Sequence, residues 1–228
     1  MVSLVDSEFR VFSQNGEDGI IKEILNRIGK DNLSGNIVEF GTETGIEICS
    51  RLLVENHGFN ALFIEASKEK FNHLQHMYTH NTRVVCYNEY VSVNNINNLI
   101  SSVFPGDIDI IIIDIDGIDY QIFNAVNNKP KLFIVEYNAS LPSDLSLVNL
   151  SAVWDGTANF GASIRALEKI ANEKGYSLIH TDRMGVNAFF IRNDFLSLFP
   201  EADNPIIHKP LYGNNGHPGL DISTFVEF

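Results

Sequence analysis

Short apolar runs, separated by stretches with helical spacing, recur along the first two thirds of the chain and set the expected architecture. The runs fall near residues 37–40, 61–65, 83–87, 109–113 and 132–135, each the length of a buried strand. Between them the period changes. Ile20, Ile21, Ile24, Leu25 and Ile28 share one helical face that opens after Ser13-Gln-Asn-Gly-Glu-Asp18 and stops at Gly29. Ile46, Cys49, Leu52 and Leu53 predict a second helix over 44–56, ended by Gly58. Ile164, Leu167, Ile170 and Ala171 mark another over 163–174.

Alternation of strand and helix argues for a parallel sheet covered on both faces. The run at 109–113 is almost pure isoleucine, so it is expected to be a central strand buried on both sides. Two final strands, 176–180 and 187–191, are separated only by Thr181-Asp-Arg-Met-Gly185, which is too short for a parallel crossover and suits an antiparallel hairpin. The expected fold is α/β: a seven-stranded sheet, mostly parallel, with its sixth and seventh strands as an antiparallel hairpin and helices on both faces.

One domain over 1–228 is expected. Within it, 1–30 forms an N-terminal segment covering the site, and 138–161 is a lid or substrate-contacting insertion, with a loose surface loop as the competing reading of its first half. The tail, 193–228, rich in Pro, Gly and Asn from 204 to 219, is expected to wrap the surface; folding over the site or mediating a homodimer is the alternative.

The formal charge of −13 opposes a partner made of nucleic acid or anionic membrane, since either needs a basic face. Cys49 and Cys86 lack metal or redox spacing and read as small core residues. No apolar run of about 18 residues predicts a membrane span, and no secretory signal opens the chain, so a cytoplasmic location is expected.

Candidate chemistry centres on Asn36-Ile-Val-Glu-Phe-Gly-Thr-Glu-Thr-Gly45, where a strand ends in an acid and a Gly-x-x-x-Gly turn. Gly41 lets the backbone turn sharply, and the helix expected from Thr44 would present its N-terminus. A dinucleotide site would carry Gly-x-Gly-x-x-Gly, yet Glu43 stands where the second glycine should be and would repel phosphate. Glu39 and Glu43 suit a cationic or hydroxyl-rich ligand instead; S-adenosylmethionine, with its ammonium and sulfonium, fits better than NAD. The Tyr-x-x-x-Lys pair usual in nicotinamide-dependent oxidoreductases and epimerases is also missing.

The hairpin and this turn resemble class I S-adenosylmethionine-dependent methyltransferases, a Rossmann-like fold. Within them the chain is similar to FkbM-type enzymes of bacterial surface-glycan and capsule clusters. The resemblance rests on Ser-Gln-Asn-Gly-Glu-Asp18, Val38-Glu-Phe-Gly-Thr-Glu-Thr-Gly45, Phe63-Ile-Glu-Ala66, Ile113-Asp-Ile-Asp-Gly-Ile-Asp119 and Gly185-Val-Asn-Ala-Phe-Phe-Ile-Arg192, in that order. It implies Glu39, Gly41, Thr42 and Gly45 around the methionine moiety, Glu65 on the ribose hydroxyls with Ala66 beside it, and Gln14 reaching in from the N-terminal segment. Asn88 or Glu89 would lie near adenine.

Ligands of an open parallel sheet bind beyond the carboxyl ends of its strands, which should bring Asp114, Asp116, Asp119, Glu136, Asn138 and His180 together. Asp114 is expected beside the cofactor. For methyl transfer Asp116 is the first candidate base and His180 the second, with Asp119 in the same cluster. Tyr120, Glu136, Tyr137 and Asn138 are candidate substrate contacts. Mg²⁺ held by Asp114 or Asp116 with Glu136 and Asn138 is the metal alternative, and helix capping by Asp116 or Asp119 the structural one. The expected acceptor is a small molecule: a sugar, nucleotide-sugar or phosphate-derived precursor methylated on oxygen. Arg165, Arg183 and Lys209 are the cations available for a phosphate. A fold that binds without catalysing is the remaining rival.

Overall fold

The computed structural model describes residues 2–151, 154–211 and 213–228. The strands are β1 (Asn36–Phe40), β2 (Asn60–Ile64), β3 (Val84–Tyr87), β4 (Ile110–Ile113), β5 (Leu132–Glu136), the short β6 (Leu147–Val148), β7 (Tyr176–Thr181), β8 (Asn187–Arg192) and β9 (Val226–Glu227). Seven of them form one sheet in the order β3-β2-β1-β4-β5-β8-β7, and β6 pairs with β9 apart from it. β5–β8 and β7–β8 are antiparallel; the other pairings in the large sheet are parallel. All seven expected strands are present within a residue or so at either end.

The helices are α1 (Leu4–Ser7), α2 (Glu17–Ile28), α3 (Arg51–Asn56), α4 (Lys68–Tyr78), α5 (Ile96–Val103), α6 (Asp119–Ala125) and α7 (Ile164–Lys174). The pleat sorts the core into two layers. Ile37, Phe63, Ile110, Ile112 and Ile134 pack on α2, α3 and α4. Val38, Leu62, Ile111, Ile113 and Val135 pack on α5, α6 and α7. The isoleucine run needs both layers: all four β4 side chains have no accessible surface, and each contributes roughly 2 kcal/mol by leaving water.

The helix expected over 44–56 is shorter than its apolar spacing suggests. Positive φ at Glu43 (48°) and Gly45 (81°) interrupts the chain, and α3 starts only at Arg51. Buried Glu39 accepts hydrogen bonds from the amides of Cys49 (2.9 Å) and Ser50 (3.0 Å) and from the Ser50 hydroxyl. These contacts fix the approach to α3 from a distance, leaving Ile46 outside the expected stripe and exposed.

The 138–161 insertion is packed along its described residues. Asn138 donates to the carbonyls of Ala158 (2.8 Å) and Phe160 (3.0 Å), Asn149 donates to Asn159, and Val148 bridges Ala162. The tail closes on this insertion instead of only wrapping the surface. Ala158 N–H donates to Pro218, Asn159 to Gly219, and the Phe228 ring lies 5.7 Å from that of Tyr120. Among the described residues no helix is long and apolar enough to cross a membrane.

Candidate functional site

The strand order reverses between β1 and β4, and a cavity of about 640 Å³ opens beyond the carboxyl ends there, within the size range of small-molecule sites. On the β1–β2 side, Gln14, Glu39, Gly41, Glu65 and Ala66 line it. Glu65 directly follows β2, and there Glu43 N–H and Ser67 N–H each donate to one of its carboxylate oxygens at 2.7 Å. Both oxygens are thereby oriented and retain lone pairs for a further donor, as a vicinal diol requires.

Several expected cofactor residues make contacts within the fold. Gly41 N–H donates to Ile64 O at 3.0 Å, so that amide is not presented to a ligand. Thr42 is fully buried with its hydroxyl near the Ile64 carbonyl, and it does not line the cavity. Gly45 lies against α4, where a Cβ would meet Leu74 at 2.8 Å. Asn88 donates to the carbonyls of Glu65 and Ala66, bracing the turn, while its neighbours Glu89, Tyr90 and Val91 form the wall. Glu39 lines the cavity with its oxygens committed to the start of α3, and burial pushes its carboxyl up to about 7 against those hydrogen bonds.

Across the switch point, Asp114, Asp116 and Glu136 converge. One oxygen of each lies within 4.8 Å of the others. Burial first, then repulsion from neighbouring acids, pushes Asp114 and Glu136 well up. Asp116 is also raised, mainly by burial and then by Glu43, against the opposing pull of Lys70 and His217. Its φ of 55° is left-handed, a conformation that Asp and Asn tolerate better than most residues.

The remaining chemical candidates lie elsewhere. Asp119 accepts from Ile115 N–H (2.8 Å) and Gly117 N–H (3.0 Å), holding the turn that leads from β4 into α6, and burial raises its carboxyl to about 6. His180 sits on edge strand β7, outside the cavity lining, with its ring near Phe189 and His208. Tyr137 donates to the His208 carbonyl, Tyr120 packs on Phe228, and the Asn138 amide is satisfied by backbone, which removes Asn138 from the expected Mg²⁺ ligand set. Arg165, Arg183 and Lys209 do not line the cavity; Arg165 and Arg183 pair with Glu168 and Glu8.

Sequence spacing did not single out other walls of the site. Glu17, Asn187 and Phe160 contribute, as do Trp154 of the insertion and His217 of the tail. Glu17 and Asn187 lay inside quoted motifs, whereas Phe160 and His217 become neighbours only through the tail's return.

Sheet order, hairpin and cavity position together are those of the class I S-adenosylmethionine-dependent methyltransferase fold. Among solved structures the chain is similar to the N-terminal domain of EvdMO1 with SAH bound (TM-score 0.51, 12% identity, 79% of this chain and 80% of that one). It is similar to the same domain in the presence of SAH and D-fucose (TM-score 0.51, 11% identity, 82% and 91%). A third is monomeric WbdD (TM-score 0.50, 14% identity, 78% of this chain and 41% of that one). No protein-family model and no curated protein sequence matches the chain.

Proposed function

We propose that the chain is an S-adenosylmethionine-dependent methyltransferase acting on a small polar acceptor. The observation that carries this reading is oriented Glu65 at the end of β2, facing an acid-rich cavity at the switch point of a methyltransferase sheet. The solved structure of the EvdMO1 domain with SAH bound supports it. When bound, the cofactor supplies an activated methyl group on a sulfonium. The protein's part is to orient the acceptor and remove its proton. Gln14 and the N-terminal segment cover the cofactor end, Glu65 takes the ribose, and Asp116 is the leading base with Asp114 and Glu136 beside it.

The resemblance to FkbM-type enzymes favours an acceptor among surface-glycan precursors. Phosphorylated members of that group are disfavoured. Among the described residues lining the cavity, nine are carboxylates and none is Arg; Lys70 is paired with Glu43. Mg²⁺ at Asp114, Asp116 and Glu136 is a second reading, favoured by the mutual proximity of their oxygens and testable by direct titration.

Calorimetric titration of the purified protein with S-adenosylhomocysteine, run beside NAD⁺ and repeated on Glu65→Ala, tests the main reading. Binding of the first ligand alone, weakened at least tenfold in the variant, is expected. Binding of NAD⁺ alone would replace the reading with an oxidoreductase, and binding of neither would leave a silent module.

A further inference from the structure

Two buried acceptors on residues that line the cavity have no donor among the described residues: Glu136 Oε2 and Asn187 Oδ1. They belong to residues directly opposed across the β5–β8 ladder, on the far side of the switch point from Glu65. The Asn187 amide orientation is fixed chemically, because Nδ2 donates to Glu17 Oε1 at 2.9 Å and so leaves an oxygen unsatisfied. Leaving such groups dry and unpaired would cost about 1–3 kcal/mol each, so they favour a ligand that brings donors.

The charge narrows its class. Asp114 and Asp116 bring their oxygens to Glu136, and each of the three carboxyls is raised by burial or repulsion. A phosphate would add to that repulsion, and a neutral polyol would donate without relieving it. A cation does both. Trp154, Phe160 and His217 also line the cavity, their rings meeting edge to face: Trp154 to His217 at 4.8 Å, Phe160 to His217 at 5.8 Å, and Trp154 to Phe160 at 6.2 Å. Carboxylates combined with aromatic rings recognise ammonium groups through charge-assisted hydrogen bonds and cation–π attraction. An aromatic wall offers nothing to a hydrated Mg²⁺, which prefers oxygen ligands throughout.

We propose that the acceptor is a small protonated amine, such as an amino alcohol or amino sugar, whose ammonium group is received by Glu136, Asp114, Asp116 and Asn187 Oδ1 beside the Trp154 and Phe160 rings. The word acceptor rests on the methyltransferase reading; the ammonium site does not.

The test is calorimetric titration of the full chain, with and without saturating S-adenosylhomocysteine, using methylammonium, ethanolamine and glucosamine against ethylene glycol, glucose, glucose 6-phosphate and MgCl₂. At least one amine is expected to bind at least tenfold more tightly than its uncharged counterpart. Glu136→Gln and Asp116→Asn should each weaken that binding at least tenfold while S-adenosylhomocysteine affinity stays within twofold. Asn at 116 suits the left-handed backbone, so this variant remains informative if Gln at 136 disturbs folding. Failure of all three amines, binding of both ethanolamine and glucosamine no tighter than that of ethylene glycol and glucose, or binding of Mg²⁺ or glucose 6-phosphate in their place would overturn the proposal. Loss of S-adenosylhomocysteine binding alone, with Glu136-dependent amine binding intact, would instead sink the methyltransferase reading.

Discussion

A Cβ placed on Gly41 would lie 1.7 Å from the carbonyl oxygen of Asp114. The turn after β1 and the turn after β4 are thus in direct backbone contact at the switch point, and φ of +71° at Gly41 is left-handed as well. This is why the strand ends in glycine: two turns that shape the cavity floor must touch. Gly41→Ala meets both penalties, left-handed strain and overpacking against backbone that has little room to retreat. The expected destabilisation is about 2–5 kcal/mol. Chemical denaturation checks it; a loss below about 1 kcal/mol would show that the Asp114 turn is free to move.

Acids at opposite ends of β4 have opposite duties. Asp109, just before the strand, accepts from Ser34 N–H, Gly35 N–H and the Lys131 ammonium (2.8 Å), and both members of that ion pair are buried. Lys131→Met would strand the Asp109 charge and should cost about 3–5 kcal/mol. Because the pair lies at the amino ends of the strands, S-adenosylhomocysteine affinity measured below the unfolding range should stay within twofold. A larger loss of affinity with unchanged stability would contradict that division.

Much of this division was legible in the chain. Apolar runs marked the strands, uninterrupted in β4 but broken by Glu39 in β1 and by Ser177 and His180 in β7, and the short hairpin connection fixed their closing direction. The helix expected over 44–56 starts only at Arg51, because apolar spacing does not reveal that Glu39, ten residues away from Cys49 along the chain, would reach the amides preceding α3. Asp114, Asp116 and Glu136 converge beyond the carboxyl ends, whereas Asp119, Asn138 and His180 do not line the cavity. Tyr137 and Asn138 follow Glu136 directly, yet successive side chains leave in different directions, and these two anchor the tail and the insertion. Phe160 and His217 could not be paired from sequence, since only the return of the tail unites them.

His180 illustrates the same limit and makes a pH prediction. Burial, and then the neighbouring His208, against an opposing pull from Glu201 and with a smaller push from Arg183, depresses its imidazole from 6.5 to about 4. The folded state therefore resists a proton that the unfolded state accepts, and stability falls as pH drops from 6.5 toward 4. Between pH 7 and pH 5 the loss is about 2 kcal/mol. Asp182 and Glu39, raised to about 7, act with the opposite sign, losing stability as pH rises toward that value. Comparing the wild type with His180→Leu isolates the histidine: the wild type should lose about 2 kcal/mol more than the variant over this interval. Parallel denaturation curves at both pH values would indicate that the ring is already charged in the fold. Because His180 does not line the cavity, the same variant should leave S-adenosylhomocysteine affinity within twofold at pH 7.

Trp154 is the chain's single tryptophan and lies on the cavity wall, its indole N–H donating to Thr157 O at 2.8 Å and its ring edge to face with His217. Its emission should therefore report on the acceptor end of the site. Titration with a ligand that reaches Asp116 should change the intensity or wavelength of that emission, because the ligand displaces water from the indole and alters the His217 contact. S-adenosylhomocysteine, seated toward Glu65, should produce a smaller change even at saturation. His217→Ala should weaken acceptor binding by about 3–10-fold, because the Trp154 and Phe160 rings lose the edge-to-face contact that positions them, with cofactor affinity unaltered. An equal loss for both ligands would mean that the tail stabilises the whole cavity and does not contact the acceptor selectively; no loss for either would remove His217 from recognition altogether.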